Sequence, residues 1–135
     1  NGKPPIIFED GLQTRSFIHV KDVAEATVLA LERGEGHVVY NVGADESVAI
    51  CDVAEKLIEI LDLDLEPKFP GLFRVGDVRH STPDVTRIRK DLGFNPKNRL
   101  EDVLEDYVKW VLRQPKPKGN FEEMVSDFKD KGLIK

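Results

Sequence analysis

Cysteine is almost missing from this chain: Cys51 stands alone among 135 residues, so no internal disulfide can form and the fold rests on burial and hydrogen bonding. Its place inside an apolar helical pattern makes it a buried thiol rather than a nucleophile, and a lone thiol suits a reducing cytoplasm. Long apolar runs are missing too. Nothing approaches the ~20 residues that a membrane-spanning helix needs, and no signal-peptide pattern is present, which predicts a soluble, cytoplasmic protein with no membrane partner. There is no basic excess either. Twenty Lys and Arg against 25 Asp and Glu leave a net charge of −5, which repels a nucleic-acid backbone over most of the surface but leaves room for a local anion site. No repeat, low-complexity tract or metal-ligand spacing stands out.

What is present is the composition of one compact α/β domain, 40% hydrophobic and 33% charged. The chain opens on Asn1 rather than Met and runs at once into Pro4, Pro5 and the apolar Ile6, Ile7 and Phe8, which reads as a piece of something longer. Residues 6–8 are expected to form a short strand before the Asp10-Gly11 turn. Residues 17–20 are strand-like, and Asp22 is expected to cap a helix carrying Val23, Ala26, Thr27, Ala30 and Leu31, stopped by Gly34. Residues 38–42, almost continuously apolar, read as a buried strand. Residues 50–61 place Ile50, Val53, Ala54, Leu57, Ile58 and Leu61 at helical spacing, and residues 100–112 do the same with Leu100, Val103, Leu104, Tyr107, Val108 and Val111. Between them lie an expected edge strand at 63–69 and a short helix at 86–92 ended by Gly93. Residues 114–119 form a stiff linker. Asn120 with Glu123 resembles a capping box for a last helix, whose Phe121, Met124, Val125 and Phe128 make a docking stripe. The organisation expected is a binding portion over 1–114, then a linker and docking helix over 115–135.

One segment, 73–84, has neither a helical nor a strand period and reads as a working loop. Arg74 offers a planar fork of donors suited to phosphate, Gly76 lets backbone approach a ligand, and Asp77 is a two-oxygen acceptor that fits the hydroxyls of a ribose. Taken alone, the same residues also describe a solvated turn and a helix cap.

Four motifs carry a resemblance. They are Gly11-x-Gln13-Thr14-Arg15-x-Phe17-Ile18-His19-Val20-x-Asp22-Val23-Ala24-x-Ala26, Tyr40-Asn41-Val42-Gly43, Arg74-x-Gly76-Asp77-x-Arg79-His80-Ser81-x-x-Asp84 and Leu92-Gly93-Phe94-x-Pro96. In this order they resemble the C-terminal part of the NAD-dependent nucleotide-sugar epimerases and dehydratases, UDP-glucose 4-epimerase-like members of the extended short-chain dehydrogenase/reductase family. The resemblance implies a small α/β substrate-binding domain, with a helix and strand over 22–43 that would complete a Rossmann sheet lying outside this chain. It implies that Arg15 and Arg74 reach the diphosphate of a UDP- or dTDP-hexose and that Asp77 binds the ribose. Two guanidiniums from separate loops can clamp a diphosphate through paired hydrogen bonds where a lysine would only neutralise it. Gln13 is either an uncharged donor to the same ligand or a turn residue. His19 and His80 are read as structural hydrogen-bonding groups, not proton carriers. A homodimer is implied as well. Two departures from the family pattern are Ser16, where Asp is usual, and Arg99, where a Ser or Thr cap is expected.

The family's catalytic parts are a glycine-rich turn for the NAD pyrophosphate and a Tyr-x-x-x-Lys pair. Neither is in these residues: Ala44 stands four after Tyr40, and Val111 four after Tyr107. The expectation is therefore a chain with no catalytic or cofactor-binding residues of its own. It would hold the nucleotide handle for an NAD-dependent 4-epimerase whose NAD sits on a missing N-terminal domain. The alternatives are part of a 4,6-dehydratase and a non-catalytic nucleotide-sugar-binding module.

Overall fold

Two residues of strand, β1 (Thr14–Arg15), lie at the centre of the architecture. In the computed structural model, which describes residues 2–115 and 121–135, β1 pairs antiparallel with β2 (Val48–Ala49) and parallel with β3 (His80–Ser81), in the order β2-β1-β3. The helices are α1 (Val20–Arg33), α2 (Ile50–Ile60), α3 (Thr86–Leu92), α4 (Leu100–Val111) and α5 (Phe121–Asp130). Amphipathic spacing places α2 and α4 within a residue of their expected ends, and their apolar faces pack on each other. Helix α1 packs on α3 over Ala26, Ile88, Leu92 and Phe94, none more than 2% exposed. Gly93 closes α3 in the left-handed region at φ 68°, as a glycine after a helix does. No helix among the described residues is long and apolar enough to cross a membrane.

Helix α1 begins earlier than its sequence implies, because His19 and not Asp22 is the cap. The Nδ1 of His19 accepts the Lys21 N–H at 3.0 Å, which leaves the ring proton on Nε2 to donate to Asp106 Oδ2 at 3.3 Å. Both ring nitrogens thus serve the fold. Asp22 sits inside the first turn, 1% exposed, and accepts hydrogen bonds from Lys97 N (3.1 Å), Asn98 N (3.2 Å) and Asn98 Nδ2 (2.9 Å). A short carboxylate before an apolar run looks like a cap in one dimension; a tertiary contact has recruited it instead.

The expected strands at 6–8 and 63–69 shrink to a single bridge between Ile6 and Lys68. Residues 38–42 run without any backbone–backbone hydrogen bond among the described residues, and Val39 is 80% exposed. An apolar run of that kind needs strands alongside it, and none pairs with it among the described residues. Side chains hold it instead: Arg87 donates to Val39 O at 3.3 Å and Asn41 to Asp84 O at 3.1 Å, while Tyr40 and Val42 lean on the α1–α3 core.

Most of the expected linker and its Asn120 cap lie outside the described residues. Beyond α5 the chain returns to the 73–84 loop: Phe73 and Lys135 exchange main-chain hydrogen bonds (2.9 and 3.0 Å), Val75 N–H donates to Leu133 O (3.0 Å), and Ile134 between them is 3% exposed.

Burial alone would raise the Asp22 carboxyl, but its three N–H donors outweigh that and hold it below its ordinary 3.8. Asp22→Ala strands those donors in a buried place, so urea unfolding should show a loss of about 2–4 kcal/mol. The contribution is complete above pH 3.8 and disappears as the pH falls through the lower folded-state value, so acid should erode wild-type stability more steeply than that of the variant.

Candidate functional site

The turn entering β1 is tight. Gly11 has φ +79°, and a Cβ there would meet the Phe69 ring and Cys51, so only glycine fits. Asp10 Oδ1 accepts the Leu12 N–H at 3.0 Å, and the Cys51 N–H donates to Gly11 O at 3.0 Å, tying the turn to the start of α2. Arg79 forks onto Asp10 at 2.9 and 2.7 Å and reaches Glu9 at 3.0 Å. That fork, with the Leu12 N–H behind it, holds the Asp10 carboxyl at about 2.

From β1, Arg15 reaches across to the next loop. Its Nη1 donates to Thr14 O (2.8 Å) and Arg79 O (3.2 Å), its Nη2 to Val78 O (2.7 Å) and Asp77 Oδ1 (3.0 Å). All four terminal N–H groups are thereby engaged, and Nε–H remains. Asp77 Oδ1 also accepts the Val78 N–H at 2.8 Å, while Oδ2 has no partner among the described residues. The guanidinium of Arg74 makes no hydrogen bond or ion pair among the described residues and lies 5.9 Å from the centroid of the Phe8 ring. Gln13 Nε2 donates to Phe8 O at 3.0 Å, and its Oε1 is buried without a partner.

These four residues, Gln13 and Arg15 from one motif and Arg74 and Asp77 from another, line one cavity of about 310 Å³. Its walls are Ile6, Ile7, Phe8 and Ile50, with Phe121 and Met124 of α5. Sequence reasoning missed the last two as site residues, since an apolar stripe signals burial and not what is buried against it. Gln13, expected as a donor, presents an unpaired acceptor. Among the charges, Asp77 pairs with Arg15 and Glu9 shares Arg79 with Asp10, while Arg74 has no ion-pair partner among the described residues.

The other residues singled out in the sequence are structural. His80 Nδ1 bonds Thr14 Oγ1 at 2.9 Å across the β1–β3 pair. Ser16 exchanges hydrogen bonds with Ala44, not with Arg15. Arg99 lacks a capping hydroxyl, yet Asp102 accepts its N–H at 2.8 Å, the returning half of a capping box. Cys51 is half-buried; burial, then the Asp52 carboxylate, pushes its thiol up, away from nucleophilic use. A larger cavity of about 500 Å³ lies between the 44–48 loop, α2 and residues 96–101, but its charges are of both signs and Lys56 and Glu101 pair there at 2.9 Å.

Residues 1–43 match the model of the NAD dependent epimerase/dehydratase family. Over most of its length the chain is similar to a portion of NAD-dependent nucleotide-sugar epimerases and dehydratases of the extended short-chain dehydrogenase/reductase family. It is 33% identical over 109 residues to the dTDP-L-rhamnose 4-epimerase of Burkholderia thailandensis, covering 80% of this chain and 30% of that enzyme. With the dTDP-glucose 4,6-dehydratase of Haemophilus influenzae it shares 30% over 124 residues, 82% of this chain and 36% of that one. Among solved structures, the UDP-glucose 4-epimerase of Thermotoga maritima with UDP-glucose matches at TM-score 0.74 and 35% identity, over 83% of this chain and 37% of that one. The chain thus spans about a third of the length of these relatives. NAD is the cofactor of the family, and relatives of this fold have been solved with it bound. The described residues do not fit that dinucleotide: α1 to α4 start behind His19, Ala49, Val85 and Arg99, and none of these four opens from a glycine-rich turn that could seat a pyrophosphate.

The Arg79 fork makes a direct prediction. In a carbon-detected NMR titration Asp10 should titrate near 2, and in Arg79→Ala it should return towards 3.8. An unshifted Asp10 in the variant would contradict the pairing.

Proposed function

We propose that the chain binds the nucleoside diphosphate of a UDP- or dTDP-hexose and is the substrate-binding part of an NAD-dependent sugar-nucleotide 4-epimerase. The observation that carries this is the presence, in one cavity, of a guanidinium at Arg74 and a carboxylate oxygen at Asp77 Oδ2 that both lack partners among the described residues. Arg74 is the direct diphosphate ligand, placed at the exposed lip of the cavity where an anion arrives first. Arg15 adds its charge and Nε–H while keeping Asp77 in place. The free Oδ2 of Asp77 accepts a ribose hydroxyl, and Gln13 Oε1 accepts a neutral N–H or O–H of the same ligand. On this reading residues 1–114 form the binding portion and 115–135 a linker and docking helix, within a cytoplasmic homodimer.

Binding the handle is a contribution to catalysis in its own right, because interactions with the unreactive nucleotide hold the sugar in register with the reacting groups. The proton-transferring tyrosine and its lysine are absent from these residues, so the hexose chemistry belongs to the rest of an intact enzyme. Likeness to the Haemophilus influenzae enzyme favours a second reading, a 4,6-dehydratase using the same handle. A non-catalytic nucleotide-sugar-binding module would need the longer protein to lack the tyrosine–lysine pair.

In calorimetric titrations with UDP, Arg74→Ala should lose about 1.5–3 kcal/mol, the worth of a charged hydrogen bond, and UMP should lose less. Equal losses for the two ligands would count against a diphosphate role. Asp77→Asn should lose about 1 kcal/mol, since an amide oxygen still accepts a hydroxyl but without charge assistance. In a coupled assay with NAD and UDP-glucose, the 135-residue chain alone should show no turnover above a protein-free control.

A further inference from the structure

We infer that α5 belongs to the ligand site: Phe121 and Met124 form the surface on which the flat base of the bound nucleotide packs. The inference rests on the nucleotide-binding reading above and extends it to the third part of the ligand. A nucleoside diphosphate has an anion, a ribose and a planar base, and the groups named so far answer the first two. The base is an apolar plate with N–H and C=O groups on its edge, which calls for a flat apolar surface and an edge partner.

The cavity offers both. Of its two aromatic rings, Phe8 already has the Arg74 guanidinium over it at 5.9 Å, whereas Phe121 pairs with no other ring or cation among the described residues. Met124 is 37% exposed although it lies on the apolar stripe of α5, whose Val125 and Phe128 are half-buried. It therefore leaves apolar surface open at the cavity, and a thioether packs well against an aromatic plate. The edge partner is Gln13 Oε1, a buried acceptor without a donor in the protein. A pyrimidine imide N–H would satisfy it and remove the cost of leaving it unpaired.

Helix α5 is also held where such a surface has to be. The Lys3–Glu122 pair is exposed and contributes little. The firm tether is the main-chain pairing of Phe73 and Val75 with Leu133 and Lys135 around the buried Ile134. Because that pairing flanks Arg74, one attachment sets both the anion-binding cation and the apolar wall.

The test uses the full chain, with UDP and inorganic pyrophosphate as probes in NMR titrations, which reach millimolar affinities. Phe121→Ala and Met124→Ala should each weaken UDP by roughly tenfold, the scale of one base–aromatic contact, and leave pyrophosphate unchanged. Arg74→Ala should weaken both probes. If Phe121→Ala weakens pyrophosphate as much as UDP, the helix only props Arg74 and the inference falls. Phe121→Leu, which keeps apolar bulk and loses the flat ring, carries the test should the alanine variant not fold, and an unchanged UDP affinity there overturns the inference. Wild-type protein that binds neither probe overturns the nucleotide reading and this inference with it. Wild-type binding that neither α5 substitution alters overturns this inference alone.

Discussion

A single guanidinium holds the candidate site together. Two-residue strands contribute too few rungs to fix a loop by themselves. Arg15 supplies the rest by donating to the carbonyls of Thr14, Val78 and Arg79 and to the Asp77 carboxylate, so the 77–79 segment lies against β1 as if the strand were longer. The arrangement divides labour between two arginines that look equivalent in sequence. One is consumed by architecture, and the other keeps its donors.

Asp22 plays the matching part in the helical layer. Its carboxylate fastens the first turn of α1 to Lys97 and Asn98, just ahead of α4, and α4 packs on α2, whose N-terminus follows directly from β2. The core at Ala26, Ile88, Leu92 and Phe94 and the sheet beside the cavity are thereby linked through one charged group. An apolar side chain at position 22 could fill the space but would leave three N–H donors without acceptors.

How much was legible in the residues depended on how local the deciding contact is. Helices α2 and α4 declare themselves by period, and α3 by its closing glycine, because those signals lie within a few residues. The gathering of Gln13, Arg15, Arg74 and Asp77 in one cavity was legible only through motifs shared with a family, since no spacing links residue 15 to residue 74. The strand at 38–42 did not form, as its pattern presumes neighbouring strands and none lies beside it among the described residues. His19 displaced Asp22 as a cap because contacts some 75 residues away claimed the carboxylate. The return of residues 133–135 to 73–75 left no trace in the sequence, and with it went the chance of assigning Phe121 and Met124 to the site.

That return has a mechanical side. The main chain at Lys135 is bonded both ways to Phe73, one residue before Arg74, whereas no main-chain hydrogen bond among the described residues joins 133–135 to α2 or α4. A pull on the carboxyl end would therefore be felt first beside Arg74, parting the Phe73–Lys135 bonds while the helical core stayed shut. Tension carried along residues 133–135 would reach the loop that bears Arg74 before it reached the helical core.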